Sequence, residues 1–381
     1  MLSLLLLLSV GGAAAADDGE QQLNQNIVDI LNGLDLSELD EYLKNHPDET
    51  LSGFGDSARS IVEYLIRGNL GIDYSGYIGE ILALLFDNVL KLLPSFAQIA
   101  ALMILCAVVR SSEGSVIGRS TAKAVCMACY AVIIAILAAL LGAIISSASK
   151  SINNLKSQVE VVTPILVTLT VLTGGSNSGA IYSPSALFIS GAAVDIVCDM
   201  IFPAAVAVII INFISKLSPE LSFSNAAKLI KSILKWVIGI TLAIFSIFIT
   251  IQGTASSLFD GIFFKATQYL VGSSVPIVGN FLSLGINMMV AAGSVIRSSV
   301  GMIGIVLLVA EIAPPIILFA SFSLILKFIA AVAQPVGEGT LSALFSELGG
   351  DIEYFIAGLF TVAFMYIIVV MLIINSAVSF I

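Results

Sequence analysis

The chain has 381 residues, of which 58% are hydrophobic and only 11% are charged, whereas a soluble domain usually carries about a quarter charged residues. This composition excludes an ordinary soluble enzyme and predicts a protein whose solvent is largely lipid. The formal net charge of −10 lies in residues 17–79, because residues 80–381 contain equal numbers of acidic and basic side chains. Nucleic-acid binding by phosphate neutralisation is therefore not supported.

Residues 1–16 are predicted to be a signal peptide. Leucine dominates positions 2–10, and Ala13 to Ala16 form a small-residue cleavage site, although no basic residue precedes the leucines. A short uncleaved anchor is the alternative, and both interpretations place residues 17–79 outside the cytoplasm. Leucines and isoleucines recur at helical spacing within this region. It is predicted to be a small extracytoplasmic helical domain that rests on a partner or on the membrane.

Residues 80–381 are predicted to form an all-α, polytopic membrane domain. Four stretches are long and uncharged enough to cross a bilayer as plain helices: residues 92–109, 124–146, 236–255 and 355–374.

Two further apolar regions, 161–215 and 275–326, contain glycines, prolines and charges at short intervals. Short, interrupted spans are typical of re-entrant or discontinuous helices that are buried in protein, because bare backbone cannot face lipid. The candidate helix breaks are Gly174, Gly175, Pro203 and Pro315.

Basic residues predict the orientation of the membrane domain. Loops 110–123 and 216–235 are rich in lysine and arginine, so both are assigned to the cytoplasm. Loop 327–353 is assigned to the same side, because acidic residues contribute little to topology. A helix is predicted within the second loop, with one basic face suited to an anionic membrane surface. Its candidate cytoplasmic docking face consists of Lys228, Lys231 and Lys235.

The two interrupted regions match each other at an offset of 112 residues. Pro203 corresponds to Pro315 at this offset, and Asp199 corresponds to Glu311. The match predicts a tandem parallel repeat, a scheme found in transporter-like folds. Coincidence among prolines in an apolar background is the alternative. The predicted repeats are residues 123–234 and 235–346.

Three carboxylates within apolar segments are candidates for a polar pathway. Asp195 and Asp199 share one face of a continuous helix, and Glu311 is the repeat partner of Asp199. Ionisable groups in a membrane interior usually mark a polar cavity or an ion path. Positions near the interface, or pairing with nearby bases, are the alternative. His46 is the only histidine, so no histidine-based zinc site or catalytic triad is available, and we predict neither enzymatic activity nor a cofactor.

The C-terminal half resembles a known family. The resemblance covers most of residues 80–381 and is strongest across 236–340. The motifs that carry it are Ile251-Gln252-Gly253, Asp260-Gly261-Ile262, Pro276-Ile277-Val278-Gly279, Val300-Gly301-Met302-Ile303-Gly304 and Gln334-Pro335. In order and spacing they are similar to those of the stage III sporulation protein AE family.

This resemblance implies a function that composition does not provide. Members of the family belong to the mother-cell membrane around the engulfed forespore. With other membrane proteins of the same sporulation operon, a partner ATPase and a forespore-side partner, they form a secretion-like channel complex. This complex supports forespore development and late forespore gene expression. A stand-alone ion-coupled transporter that uses the membrane carboxylates, and a scaffold that conducts nothing, are the competing hypotheses.

Overall fold

The structure is a computed structural model that describes most of the chain between residues 17 and 375. The described residues are 17–45, 55, 57–66, 74–112, 118–172, 191–192, 194–217, 223–247, 250, 278–334 and 339–375. The helices within them are α1 (Asp17–Gly33), α2 (Ser37–Asn45), α3 (Ala58–Ile66), α4 (Tyr74–Ser111), α5 (Arg119–Leu172), α6 (Phe202–Leu217), α7 (Ser224–Ile247), α8 (Val278–Ala333), α9 (Gly339–Asp351) and α10 (Glu353–Asn375).

The predicted all-α, polytopic fold class is confirmed. The described residues contain no strand. Six apolar helical segments among them are long enough to cross a membrane. Four of these lie within single helices, namely α4, α5, α7 and α8. The fifth begins at Ile196, shortly before α6, and ends in α6 at Ser215, and the sixth runs from α9 into α10. The predicted spans 92–109, 124–146 and 355–374 lie inside α4, α5 and α10. The fourth predicted span lies in α7 as far as Ile247.

Two very long helices form the centre of the fold. α5 has 54 residues and α8 has 56, which at 1.5 Å per residue gives each helix a length of roughly 80 Å. They pack together in antiparallel orientation: Asn154 lies beside Glu311, and sixteen residues further along α5 Thr170 lies beside Arg297. Because a bilayer core is only about 30 Å thick, both helices extend well beyond a single crossing.

The predicted interruption of region 275–326 is wrong for its described residues. α8 begins at Val278 and continues without a break through Pro314 and Pro315. A proline inside a helix removes one backbone hydrogen bond, and its ring crowds the carbonyl four residues earlier. The packing of α8 against α5 and α10 supports the helix on both sides of this point. Pro315 therefore lies inside a helix and does not end one.

The other predicted breaks have different settings. The helical stretch does not end at Pro203 either, because the π-helical turn Ile196–Ile201 runs directly into α6 through Phe202, whose backbone is also right-handed helical. Gly174 and Gly175 lie outside the described residues. The tandem repeat stays a prediction.

The N-terminal helices rest on the chain's own membrane domain. α1 and α3 pack against α8, and α2 packs against α5. Their buried side chains occur at helical intervals, for example Ile27 and Leu31 in α1 and Leu39 and Tyr42 in α2. The predicted boundary between residues 79 and 80 falls inside α4, which begins at Tyr74.

Two glycines of α8 allow its neighbours to approach closely. A Cβ atom added at Gly304 would lie 2.8 Å from the Tyr366 hydroxyl of α10 and 3.2 Å from Val162 of α5. A Cβ atom at Gly301 would overlap Ile374 of α10. Small residues serve this purpose between membrane helices, where close backbone packing replaces the hydrophobic effect as the source of stability.

We expect the Gly304→Ala substitution to destabilise the fold by about 1–3 kcal/mol, because overpacking displaces Tyr366 and Val162. Gly142→Ala in α5 is the matched control, since a Cβ atom there meets no atom within 4 Å. Alanine should stabilise the helix at that position by up to about 1 kcal/mol. Thermal unfolding of the two variants in detergent measures the difference. Equal melting temperatures would contradict the close packing at Gly304.

Candidate functional site

A polar segment of α5, residues 150–160, interrupts an otherwise apolar helix. Residues 124–149 before it carry no charge and span about 39 Å, which is more than the thickness of a bilayer core. Asn154 and Gln158 of this segment bond to α8, and Lys156 bonds to Asp195, which precedes α6. The polar segment therefore provides the partners of two of the three candidate carboxylates, Glu311 and Asp195.

Glu311 of α8 faces the polar segment from inside the protein. The side-chain amide of Asn154 donates a hydrogen bond of 3.0 Å to Glu311 Oε1. The Tyr42 hydroxyl of α2 donates to the backbone carbonyl of the same asparagine at 3.3 Å. Burial raises the pKa of the Tyr42 phenol above its ordinary value, and the nearby Glu311 carboxylate raises this pKa further. One asparagine therefore connects the N-terminal region to the half-buried glutamate.

Asp195 pairs with the polar segment from the outside. Its carboxylate lies 3.4 Å from Lys156 Nζ, and both side chains are substantially exposed. Positions 154 and 156 point to opposite sides of a helix, because two residues advance the chain by about 200°. Asp195 and Glu311 are consequently separated by α5. Asp199 is exposed, in the π-helical turn that comes after Asp195.

The structure does not bring the three predicted pathway residues together in one cavity. Only Glu311 lies in the interior, whereas Asp195 and Asp199 are exposed. The ion pair of Asp195 matches the alternative interpretation from the sequence, namely pairing with a nearby base. The glycine-rich connection that contains Gly174 and Gly175 lies outside the described residues, so the prediction that it lines a pore stays a prediction.

Gln158 forms a second, fully buried polar contact. Its amide nitrogen donates to the Gly304 carbonyl at 2.6 Å and to the Tyr366 hydroxyl at 3.0 Å. This contact joins α5, α8 and α10 beside Gly304, where the absence of a side chain lets the three helices approach closely. Sequence reasoning missed it, because the sequence does not show which distant residues a glutamine side chain contacts.

A buried ion pair connects α7 to the end of α9. Lys231 Nζ lies 2.5 Å from Asp351 Oδ1, and the aspartate is only 1% exposed. The side-chain amide of Asn212 in α6 donates a hydrogen bond to the other carboxylate oxygen. The lysine and the aspartate come from two loops that the sequence assigned to the same side of the membrane. The pairing itself was not predicted from the sequence.

The predicted docking face is therefore divided. Lys228 and Lys235 are exposed, whereas Lys231 turns inward to Asp351. Beside the two exposed lysines stand Leu229, Ile233 and Trp236, which are at least half exposed. α7 thus presents adjacent basic and apolar surfaces at its first three turns.

Comparisons with known proteins identify the family of the chain. The sequence profile described as stage III sporulation protein AE matches residues 57–377. The chain belongs to this family. It is 21% identical, over 371 residues, to the stage III sporulation protein AE of Bacillus subtilis (strain 168), and the match covers 97% of this chain and 93% of the relative. No solved structure matches.

Family membership confirms the resemblance inferred from the sequence motifs. Of those motifs, Val300 to Gly304 lies in α8, and its two glycines provide the close packing against α10 and α5. Glu311, Asn154 and Gln158 all lie within the matched residues 57–377. Tyr42 precedes them. In the described part of the chain, no group of three or more His, Cys, Asp or Glu residues is arranged to hold a metal ion.

We expect Lys231→Met to destabilise this family member by about 3–5 kcal/mol, because it leaves the buried Asp351 carboxylate without its cation. The exposed Lys228, one turn earlier, is the matched control, and Lys228→Met should change stability by about 0.5 kcal/mol or less. Unfolding in detergent measures both variants. Adding Asp351→Asn to Lys231→Met should recover part of the loss. Equal effects of the two lysine substitutions would refute the ion pair.

Proposed function

We propose that this chain is a membrane subunit of a secretion-like channel complex that links mother cell and forespore during endospore formation. The observation that carries the proposal is the family match, which includes all six apolar helical segments. In this proposal the chain lies in the mother-cell membrane around the forespore. It acts with other membrane proteins of the same operon, a partner ATPase and a forespore-side partner. It thereby supports forespore development and late forespore gene expression.

The N-terminal region lies outside the cytoplasm in this proposal. The uncharged residues 124–149 of α5 separate the basic loop before Lys123 from the polar segment that holds Tyr42. Their length of about 39 Å is enough for one crossing of the bilayer core. The Lys231–Asp351 pair supports a common side for the two loops assigned to the cytoplasm. The length of this uncharged stretch and the Lys231–Asp351 pair together favour an acidic region outside the cytoplasm and a basic face on the cytoplasmic side.

Deletion of the gene in an endospore-forming host tests the proposed role. Early forespore reporters should be unaffected, whereas a late forespore reporter and the number of heat-resistant spores should fall to background. The wild-type chain and the Gly142→Ala variant should both restore them, since alanine at this position meets no other atom. A deletion strain with normal late reporter activity and normal spore numbers would overturn the proposal.

The divided docking face gives a second experiment. We expect Lys228→Ala together with Lys235→Ala to reduce co-purification of the partner ATPase at least severalfold, because both lysines are exposed at the proposed cytoplasmic end. Lys150→Ala is the matched control, since this exposed lysine lies at the far end of the uncharged stretch of α5. Equal recovery of the ATPase with all variants would show that these lysines do not contribute to the interface.

A stand-alone ion-coupled transporter is the second candidate, and one observation favours it: Glu311 is a half-buried carboxylate inside a membrane domain. The separation of Asp195 and Asp199 from Glu311 by α5 weighs against a single pathway through all three. Purified protein in liposomes distinguishes the candidates. A transporter moves solute under a proton or sodium gradient without partners and loses this flux in Asp199→Asn, whereas the proposed subunit does not.

A further inference from the structure

Glu311 differs from the other interior and paired acids in how its charge is balanced. Asp351 has Lys231, Asp195 has Lys156 and Glu353 has Lys327, each within ion-pair distance. Among the residues that the structure describes, no lysine or arginine forms such a pair with Glu311. Its bonded partner is the neutral amide of Asn154. Even partial burial of a carboxylate is costly when no cation lies nearby.

The backbone beside Glu311 also lacks hydrogen-bond donors. Pro314 and Pro315 come after it inside the continuous helix α8, and neither proline has an N–H group. In an α-helix these two nitrogens would donate to the carbonyls of Ala310 and Glu311. The prolines therefore free two carbonyl oxygens next to the carboxylate. In membrane proteins, backbone carbonyls that lack an internal hydrogen bond can coordinate sodium ions.

A third acceptor lies in the same polar cluster. Gln158 is one turn from Asn154 along α5, and its side-chain oxygen is buried without a hydrogen-bond partner. Its amide nitrogen donates a hydrogen bond to the Tyr366 hydroxyl. Among the described residues, the cluster between α2, α5, α8 and α10 thus contains a buried oxygen acceptor without a donor. An unsatisfied buried acceptor costs about 1–3 kcal/mol.

We propose that the Glu311 carboxylate is the charged ligand of a monovalent metal cation, sodium or potassium, bound inside the membrane domain. One negative charge surrounded by neutral oxygens fits an ion of charge +1. Hard alkali cations take oxygen ligands of this kind, as carboxylates and carbonyls do for other hard cations. The freed carbonyls of Ala310 and Glu311 provide further oxygens at the same point of α8. A water molecule would satisfy acceptors but would leave the charge unbalanced.

Purified full-length protein in detergent tests the proposal at constant ionic strength. Sodium chloride or potassium chloride replaces N-methylglucamine chloride, and the melting temperature is recorded. The wild type should show a saturable rise with at least one of the two metal ions. In Glu311→Gln the concentration for half-maximal stabilisation should increase at least tenfold. Glu160→Gln, which changes an exposed glutamate of α5, should respond like the wild type.

The Pro315→Ala variant keeps the carboxylate and restores an N–H donor to the Glu311 carbonyl, so it should bind the cation severalfold more weakly while remaining folded. Equilibrium binding of radioactive sodium, or of rubidium as the potassium analogue, measures this directly. The same binding measurement on Pro315→Ala tests the proposal if Glu311→Gln does not fold. Absence of ion-specific stabilisation in the wild type, an unchanged response in Glu311→Gln, or stabilisation that depends on pH alone would overturn the proposal. None of these outcomes bears on the sporulation complex.

Discussion

The hydrogen bonds of the polar segment of α5 fix the relative positions of the surrounding helices. Asn154 bonds Glu311 of α8, and Gln158 bonds both the Gly304 carbonyl and Tyr366 of α10. These groups are buried or half-buried, so each lost partner leaves a polar group unsatisfied at a cost of about 1–3 kcal/mol. A shift of α8 along α5 by one residue breaks both contacts. Apolar side chains alone, which pack in many registers, do not impose this precision.

The same segment relates the N-terminal region to the membrane domain. Tyr42 reaches the Asn154 carbonyl, and the buried faces of α1 and α3 pack on α8. Apolar contacts and the Tyr42 hydroxyl therefore hold this acidic region on the membrane domain. Its exposed acids remain available to solvent and to partners. At the other end of the fold, Lys231 and Asp351 hold α7, whose outward surface is otherwise little covered.

The parts of the fold that depend on composition were predictable from the sequence. Uncharged stretches such as 124–146 and 355–374 are helical spans because lipid demands internal backbone hydrogen bonds. The continuity of α8 through Pro315 was not predictable, since it depends on support from α5 and α10. The contact of Lys231 with Asp351 was not predictable either. Helical periodicity shows which residues share a face of a helix, but not which distant side chain contacts that face. Glu311 was identified from its charge, whereas its partners required the structure.

The pairing of α5 with α8 has a consequence for the order in which the protein is made. Asn154 leaves the ribosome 157 residues before Glu311, and Gln158 leaves it 146 residues before Gly304. At roughly 5–20 residues per second, α5 waits about 7–30 s for the partners of its polar side chains. During that interval these side chains depend on water, lipid headgroups or the insertion machinery. The central helix pair of the finished protein is thus assembled late in synthesis, after the first helices have entered the membrane.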